Sequence, residues 1–253
     1  MTPIKKISSA LLLLSFLFLT ATAQVQPNKI KNIVLVHGAF ADGSSWAKVI
    51  ALLQAKGYNV VAVQNPLTSL TDDVAATKRA IALMDGPVLL VGHSYGGMVV
   101  SAAGNDPKVV GLVYVCALVP DENQSAVDVT TPYPAPGGAE FRPDAEGFLS
   151  LSPKGIREYF AQDLPLEERK IVYATQVPWA TRATTEKVTN PAWKNKPSWA
   201  IIGLEDYMVP PALARAEAKM IRAKTLELKS SHIPMVSQPR RVAEFIATAS
   251  QQL

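Results

Sequence analysis

Cysteine is almost absent from this chain. One residue in 253, Cys116, carries a thiol, so no internal disulfide can form. It lies in the apolar run VVGLVYVCALVP, which predicts a buried, inert group. Histidine is nearly as scarce, with three in all, so any chemistry needing an imidazole has few places to find one. Charge of one sign is scarce as well. The formal net charge is +4, two of the positive residues (Lys5 and Lys6) fall in an N-terminal leader, and no dense basic stretch occurs. That excludes nucleic acid as an expected partner. There is no internal repeat, and no low-complexity tract outside the leader. The strongest apolar tract, Ala10 to Leu19 with Ser15 inside it, is too short to span a bilayer comfortably.

The leader itself is informative. Lys5 and Lys6 precede the apolar tract, and Ala21-Thr22-Ala23 follows before Gln24. This is the three-part layout of a secretory signal peptide over residues 1–23. The mature protein is expected to be periplasmic or secreted, with no stable membrane span. At 48% hydrophobic and 18% charged, the remainder suits one globular domain with a full core and an insertion.

Continuous Val/Leu-rich runs at 31–38, 58–66, 87–94 and 109–120 predict buried strands, with helices of regular period between them. Ser69, three residues before Asp72, predicts the start of one such helix. The pattern resumes with strands at 198–205 and 223–231 and a closing helix from Pro239. Together these predict an α/β fold, a mostly parallel sheet with helices on both faces. Residues 121–196 break the pattern. They are rich in Pro, Gly, Asp, Thr and Ala, show only short helical pieces at 152–162 and 165–177, and read as a small inserted helical cap. The core is then 24–120 and 197–253.

The chemistry starts at Gly92-His93-Ser94-Tyr95-Gly96, between the strand PVLLV and the helical GMVVSAA. Gly-x-Ser-x-Gly in that context is a nucleophile elbow. Gly92, Gly96 and Gly97 give neighbouring backbone room, and the following helix aims its free N–H groups at the serine. A serine needs a base. His93 adjoins Ser94 and is expected to point elsewhere. His37, before Gly38 in the turn VHGAF, is expected to support the loop backbone. His232, in KSSHIPMVSQP beyond a strand, is left as the base. Its orienting acid comes from IIGLEDYMVPP, with Asp206 favoured and Glu205 as the alternative. The oxyanion donors are expected to be the Tyr95 amide and that of Ala39 or Phe40. Phe40, Tyr95, Met208 and Ile233 flank these positions and are expected to line an apolar pocket. Trp179 and Trp199 receive no role.

VLVHGAFADGSSW, VGHSYGG, LEDYMVPP and SSHIPMVSQP together resemble the α/β-hydrolase superfamily. Within it the chain is most similar to bacterial carboxylesterases related to plant methyl-ester esterases and hydroxynitrile lyases. The resemblance covers nearly all of 32–250 and is weakest over the cap. It implies a triad of Ser94, Asp206 and His232, an oxyanion hole at the Ala39 and Tyr95 amides, and no metal or organic cofactor. Two departures separate the chain from the lyase branch, which has lysine where Ile233 stands and threonine where Gly38 stands. Hydrolysis of a small ester is therefore the expected activity. Lactone or carbon–carbon bond cleavage, perhydrolysis, and a non-catalytic ligand-binding protein on the same fold are the alternatives.

Overall fold

The computed structural model describes residues 30–253. The leader, and with it the signal-peptide expectation, lies outside the described residues. The main sheet comprises β1 (Asn32–Val36), β2 (Asn59–Val63), β3 (Val88–His93), β4 (Val109–Val115), β8 (Ser198–Gly203) and β9 (Lys224–Leu228), in the order β2-β1-β3-β4-β8-β9. Every pairing is parallel. The central strands β1, β3 and β8 are buried along their whole length, which is why their sequences show no polar alternation. The edge strands β2 and β9 keep partly exposed positions.

Helices α1 (Ala47–Ala55), α2 (Leu70–Ala82) and α3 (Gly96–Ala103) pack around this sheet, α1 against the C-terminal helix Pro239–Gln251 and α2 against α3. Ser69 caps α2 by accepting the Asp72 N–H at 3.0 Å. The reciprocal half of a capping box is absent, because the Asp72 carboxylate accepts from Thr68 Oγ1 at 2.7 Å.

One expectation needs correction. The apolar run 109–120 continues past the end of β4 at Val115, because Cys116 takes φ 45° and turns the chain out of the sheet. The small cap combines helical pieces with strands. Between β4 and β8 lies a three-stranded antiparallel sheet of β5 (Phe141–Pro143), β6 (Phe148–Leu151) and β7 (Trp179–Ala180). Helical pieces accompany it, including Ala126–Thr130, Leu166–Ala174 and Thr181–Thr185. Strands of two to four residues are too short to show a period-2 pattern.

β1 lies between β2 and β3, so the chain leaves neighbouring strands in opposite directions along the sheet. The loops after β1 and β3 thus diverge at one carboxyl edge, where open parallel sheets place their ligand crevices.

Candidate active site

The turn after β3 is tight and strained. Ser94 has φ 53°, a left-handed conformation uncommon for a residue with a Cβ. Ladder and turn hydrogen bonds over-determine it: its N–H donates to Val115 O at 3.2 Å, and its carbonyl accepts from Gly97 at 2.9 Å and Leu118 at 3.0 Å. The glycines of the motif do not take positive φ; their role is room. A Cβ on Gly97 would lie 2.1 Å from Leu118 O, and one on Gly38 would lie 2.6 Å from Ser94 Cβ. The bareness of Gly38 lets the turn after β1 sit directly against the serine. Gly92 and Gly96 are packed similarly, against Gly96 O and Val36 O.

Three distant segments meet at this serine. His232 Nε2 is 2.7 Å from Ser94 Oγ, and His232 Nδ1 is 2.8 Å from Asp206 Oδ2. Asp206 and His232 are each buried, and Asp206 Oδ1 accepts the Met208 and Val209 N–H groups at 2.8 and 2.9 Å. With Nδ1–H donating to the carboxylate, Nε2 is left free to accept the serine proton. Of the two acids the sequence offers, Asp206 is the one in contact with the imidazole. Glu205 is partly exposed and faces Lys229 at 3.7 Å, away from the imidazole.

The other two histidines hold backbone. His37 Nε2 accepts the Asn65 N–H at 2.9 Å, so its Nδ1–H donates to Gly38 O at 2.8 Å. Asn65 Nδ2 returns a hydrogen bond to His37 O at 3.0 Å. The turn VHGAF is thus pinned to the end of β2. Burial lowers the His37 pKa. The His93 side chain turns to the segment of His232: its Nε2–H donates to the backbone carbonyl of His232 at 2.8 Å, with the two rings 4.8 Å apart. Burial first, and the nearby His232 second, push the His93 pKa well down, keeping it neutral. No spacing in the sequence signals this contact, which joins residues 139 apart.

The Ala39, Phe40 and Tyr95 backbone N–H groups donate to no protein acceptor among the described residues. They flank Ser94 from two sides, as an oxyanion hole requires. A cavity of about 440 Å³ opens over them. Phe40, Tyr95 and Met208 line it, as do Trp179, Leu118 and Phe160. Ile233 does not; it is buried beside a neighbouring groove. Trp199 lies away from the site, its indole N–H donating to Gln252 Oε1 at 3.1 Å. No Asp, Glu, Lys or Arg is among the walls. The hydroxyls of Thr130, Thr131 and Thr184 donate to carbonyls of their own helical turns. The cavity is therefore shaped for a neutral, apolar guest. Among the described residues no cluster of His, Cys, Asp or Glu could hold a metal ion.

One buried acid was not legible from sequence. Asp73 on α2 accepts the Tyr95 phenol at 2.8 Å and the Leu67 N–H at 2.8 Å. Leu67, at φ 56°, in turn accepts the Ala180 N–H of the cap at 2.9 Å. Burial, chiefly, pushes the Asp73 carboxyl up to about 6, helped by the nearby Asp72 and Glu186 and opposed by its two hydrogen bonds. A native-state value above the unfolded one means the folded protein binds the proton more tightly. Stability from this group is then fully present at low pH and declines as pH rises toward about 6. Lowering the pH from 7 to 5 is expected to favour wild type over Asp73→Asn by about 1 kcal/mol, measured by urea denaturation at both pH values. Equal shifts in the two proteins would contradict the assignment.

A sequence profile described as the Alpha/beta hydrolase family matches residues 33–245. The pyrethroid hydrolase of Sphingobium wenxiniae is 28% identical, over 86% of this chain and 87% of its own length. Methylesterase 7 of Arabidopsis thaliana is 28% identical, over 87% of this chain and 96% of its own. The crystal structure of a pyrethroid hydrolase from Sphingobium faniae superposes with a TM-score of 0.77 at 25% identity, over 87% of this chain and 97% of that one. The matched stretch takes in the elbow, Asp206, His232 and the strands that carry them: the chain belongs to the alpha/beta hydrolase family.

Proposed function

We propose that the protein is a serine carboxylesterase that cleaves small, neutral, apolar esters through an acyl-enzyme. The single observation that carries this reading is the hydrogen-bonded series Ser94 Oγ, His232 Nε2, His232 Nδ1, Asp206 Oδ2 at the floor of an uncharged cavity. In the proposed cycle His232 takes the Ser94 proton as Oγ attacks the ester carbonyl. The Tyr95 N–H and that of Ala39 or Phe40 receive the developing oxyanion. The tetrahedral intermediate collapses as His232 gives its proton to the alcohol oxygen. Water, activated by the same imidazole, then releases the acid. Removal of one such oxyanion donor costs on the order of 3 kcal/mol in comparable sites.

Relatives named as a pyrethroid hydrolase and a methylesterase support hydrolysis of small organic substrates. Ile233, immediately after the base, places an apolar side chain where the lyase branch has lysine, which supports ester hydrolysis over cyanohydrin cleavage. The leader supports action outside the cytoplasm, on a mature chain whose core is 24–120 and 197–253 and whose cap is 121–196. The test is covalent. A p-nitrophenyl alkylphosphonate is expected to add once per chain, at Ser94 by peptide mass spectrometry, and to block p-nitrophenyl butyrate turnover. Absence of an adduct from the folded protein, or an adduct elsewhere, would overturn the reading.

A further inference from the structure

Beside the catalytic cavity, on the far side of Phe40 and Phe160, lies a second hollow of about 180 Å³. Phe40 and Phe160 wall both spaces. Its other walls are the loop 41–45 with the start of α1 (Ala47), the cap helix Leu166–Ala174 with Thr175 after it (Ile171, Val172) and the segment just after His232 (Ile233, Val236). We infer that this groove is the subsite for the alcohol half of the substrate, so that the ester carries a bulky apolar alcohol, up to the size of a benzyl group. The inference rests on the ester reading above.

Reaction geometry sets the direction. The departing oxygen must take its proton from His232 Nε2, so the alcohol half lies on the imidazole side of the carbonyl. The partition stands at that side: the Phe160 ring meets the His232 ring edge-on at 5.1 Å, and Ile233 in the groove wall follows His232 in the chain. The acyl half retains the larger uncharged cavity under Trp179.

Both partition residues sit in unusual backbone. Phe40 has φ 60°, and Phe160 ends a five-residue π-helical turn, Ile156–Phe160. Left-handed bulky residues and single π turns concentrate at functional positions, because elsewhere their cost has no return.

The roof is lightly held. Helix Leu166–Ala174 buries none of its residues, and Ile171 is 62% exposed. Lys48 on α1 bridges to Glu168 on this helix at 2.7 Å, both side chains being substantially exposed. Such a pair contributes about 1 kcal/mol or less, so the roof can lift to admit a guest. The charged groups at the groove are already engaged. Lys48 and Glu168 hold each other, and Asp42 Oδ1 accepts the Ser44 N–H and hydroxyl. Its hydroxyls are engaged as well, Ser45 Oγ donating to Asp42 O at 2.7 Å and Thr175 Oγ1 to Ile171 O at 3.0 Å, so the groove takes a neutral, largely apolar group. Cavities of about 150 Å³ lined by such side chains accommodate benzene.

The test compares two ester series on the full mature chain. Wild type is expected to hydrolyse benzyl butyrate with a kcat/KM at least about 10-fold above methyl butyrate. Ala47→Trp, on an exposed position, and Val236→Phe, on a half-buried one, each fill the groove from a different wall. Each is expected to lower the benzyl-to-methyl ratio at least about 10-fold. The ratio of methyl hexanoate to methyl acetate, which reads the acyl cavity, should move less than about 2-fold. An unchanged benzyl-to-methyl ratio in either folded variant would overturn the assignment. So would a change confined to the acyl ratio, which would give the groove to the acid. A wild-type chain that hydrolyses no ester and takes no phosphonate at Ser94 marks failure of the esterase reading itself, separable from failure of the subsite by that adduct.

Discussion

Ser94→Ala is expected to lower kcat for p-nitrophenyl butyrate by at least about 10⁴-fold while moving the melting temperature by no more than about 3 °C. The two halves of this result have separate causes. On the proposed esterase reading, loss of Oγ removes the hydroxyl that lies 2.7 Å from His232 Nε2, and the threonine hydroxyls of the cavity are engaged with backbone carbonyls. The fold, in contrast, keeps what holds the elbow. The backbone bonds from Ser94 to Val115, Gly97 and Leu118 do not involve the side chain. Alanine tolerates φ 53° no worse than serine does, and His232 Nε2 faces the cavity, where water can replace the lost hydroxyl. Steady-state kinetics and a thermal melt on the same preparation check both halves. Turnover near the wild-type rate would remove Ser94 from the chemistry.

The second large effect separates two adjacent acids. Asp206→Asn is expected to lower kcat by roughly 10³–10⁴-fold, whereas Glu205→Gln should stay within about 3-fold of wild type. Asp206 does two things at once. Oδ2 takes the Nδ1–H of His232, fixing the tautomer that leaves Nε2 basic, and Oδ1 is held by two backbone N–H groups. An asparagine can keep the second contact only by turning its NH₂ toward His232, which forces the wrong tautomer. Glu205 contributes a carbonyl to Gln162 and a partly exposed side chain toward Lys229, neither of which touches the imidazole. Rates for the two variants under one set of conditions decide the matter, and the reverse ranking would transfer the role to Glu205.

Much of this site was legible because its parts have local signals. A glycine-flanked serine between an apolar run and a helix can be read in one window, and three histidines leave a short search for a base. The choice between Glu205 and Asp206 was harder, since it turns on one residue of register beyond the tip of β8; of the two, Asp206 is the one whose carboxylate meets His232 Nδ1. Asp73 and the inward contact of His93 were illegible for a different reason. Each meets its partner across a long sequence separation, through backbone or a phenol, and no spacing rule links them. The cap was only partly legible. Its helical segments at 153–160 and 166–174 were anticipated, while its strands were hidden because two to four residues carry no periodicity.

The departure and return points of the cap lie side by side. β4, which leads into it, and β8, which follows it, are hydrogen-bonded neighbours in register from Leu112 against Ser198 to Val115 against Ile201. An excursion that starts and finishes on adjacent strands can be lengthened, shortened or exchanged without shifting any other pairing in the sheet. Ser94, Asp206 and His232 all belong to segments outside that excursion. The hydrogen-bonded series and the cap's share of the cavity wall, which includes Phe141, Leu149 and Trp179, thus lie on separable stretches of chain, so that exchanging one cassette would reshape part of the cavity and leave that series intact.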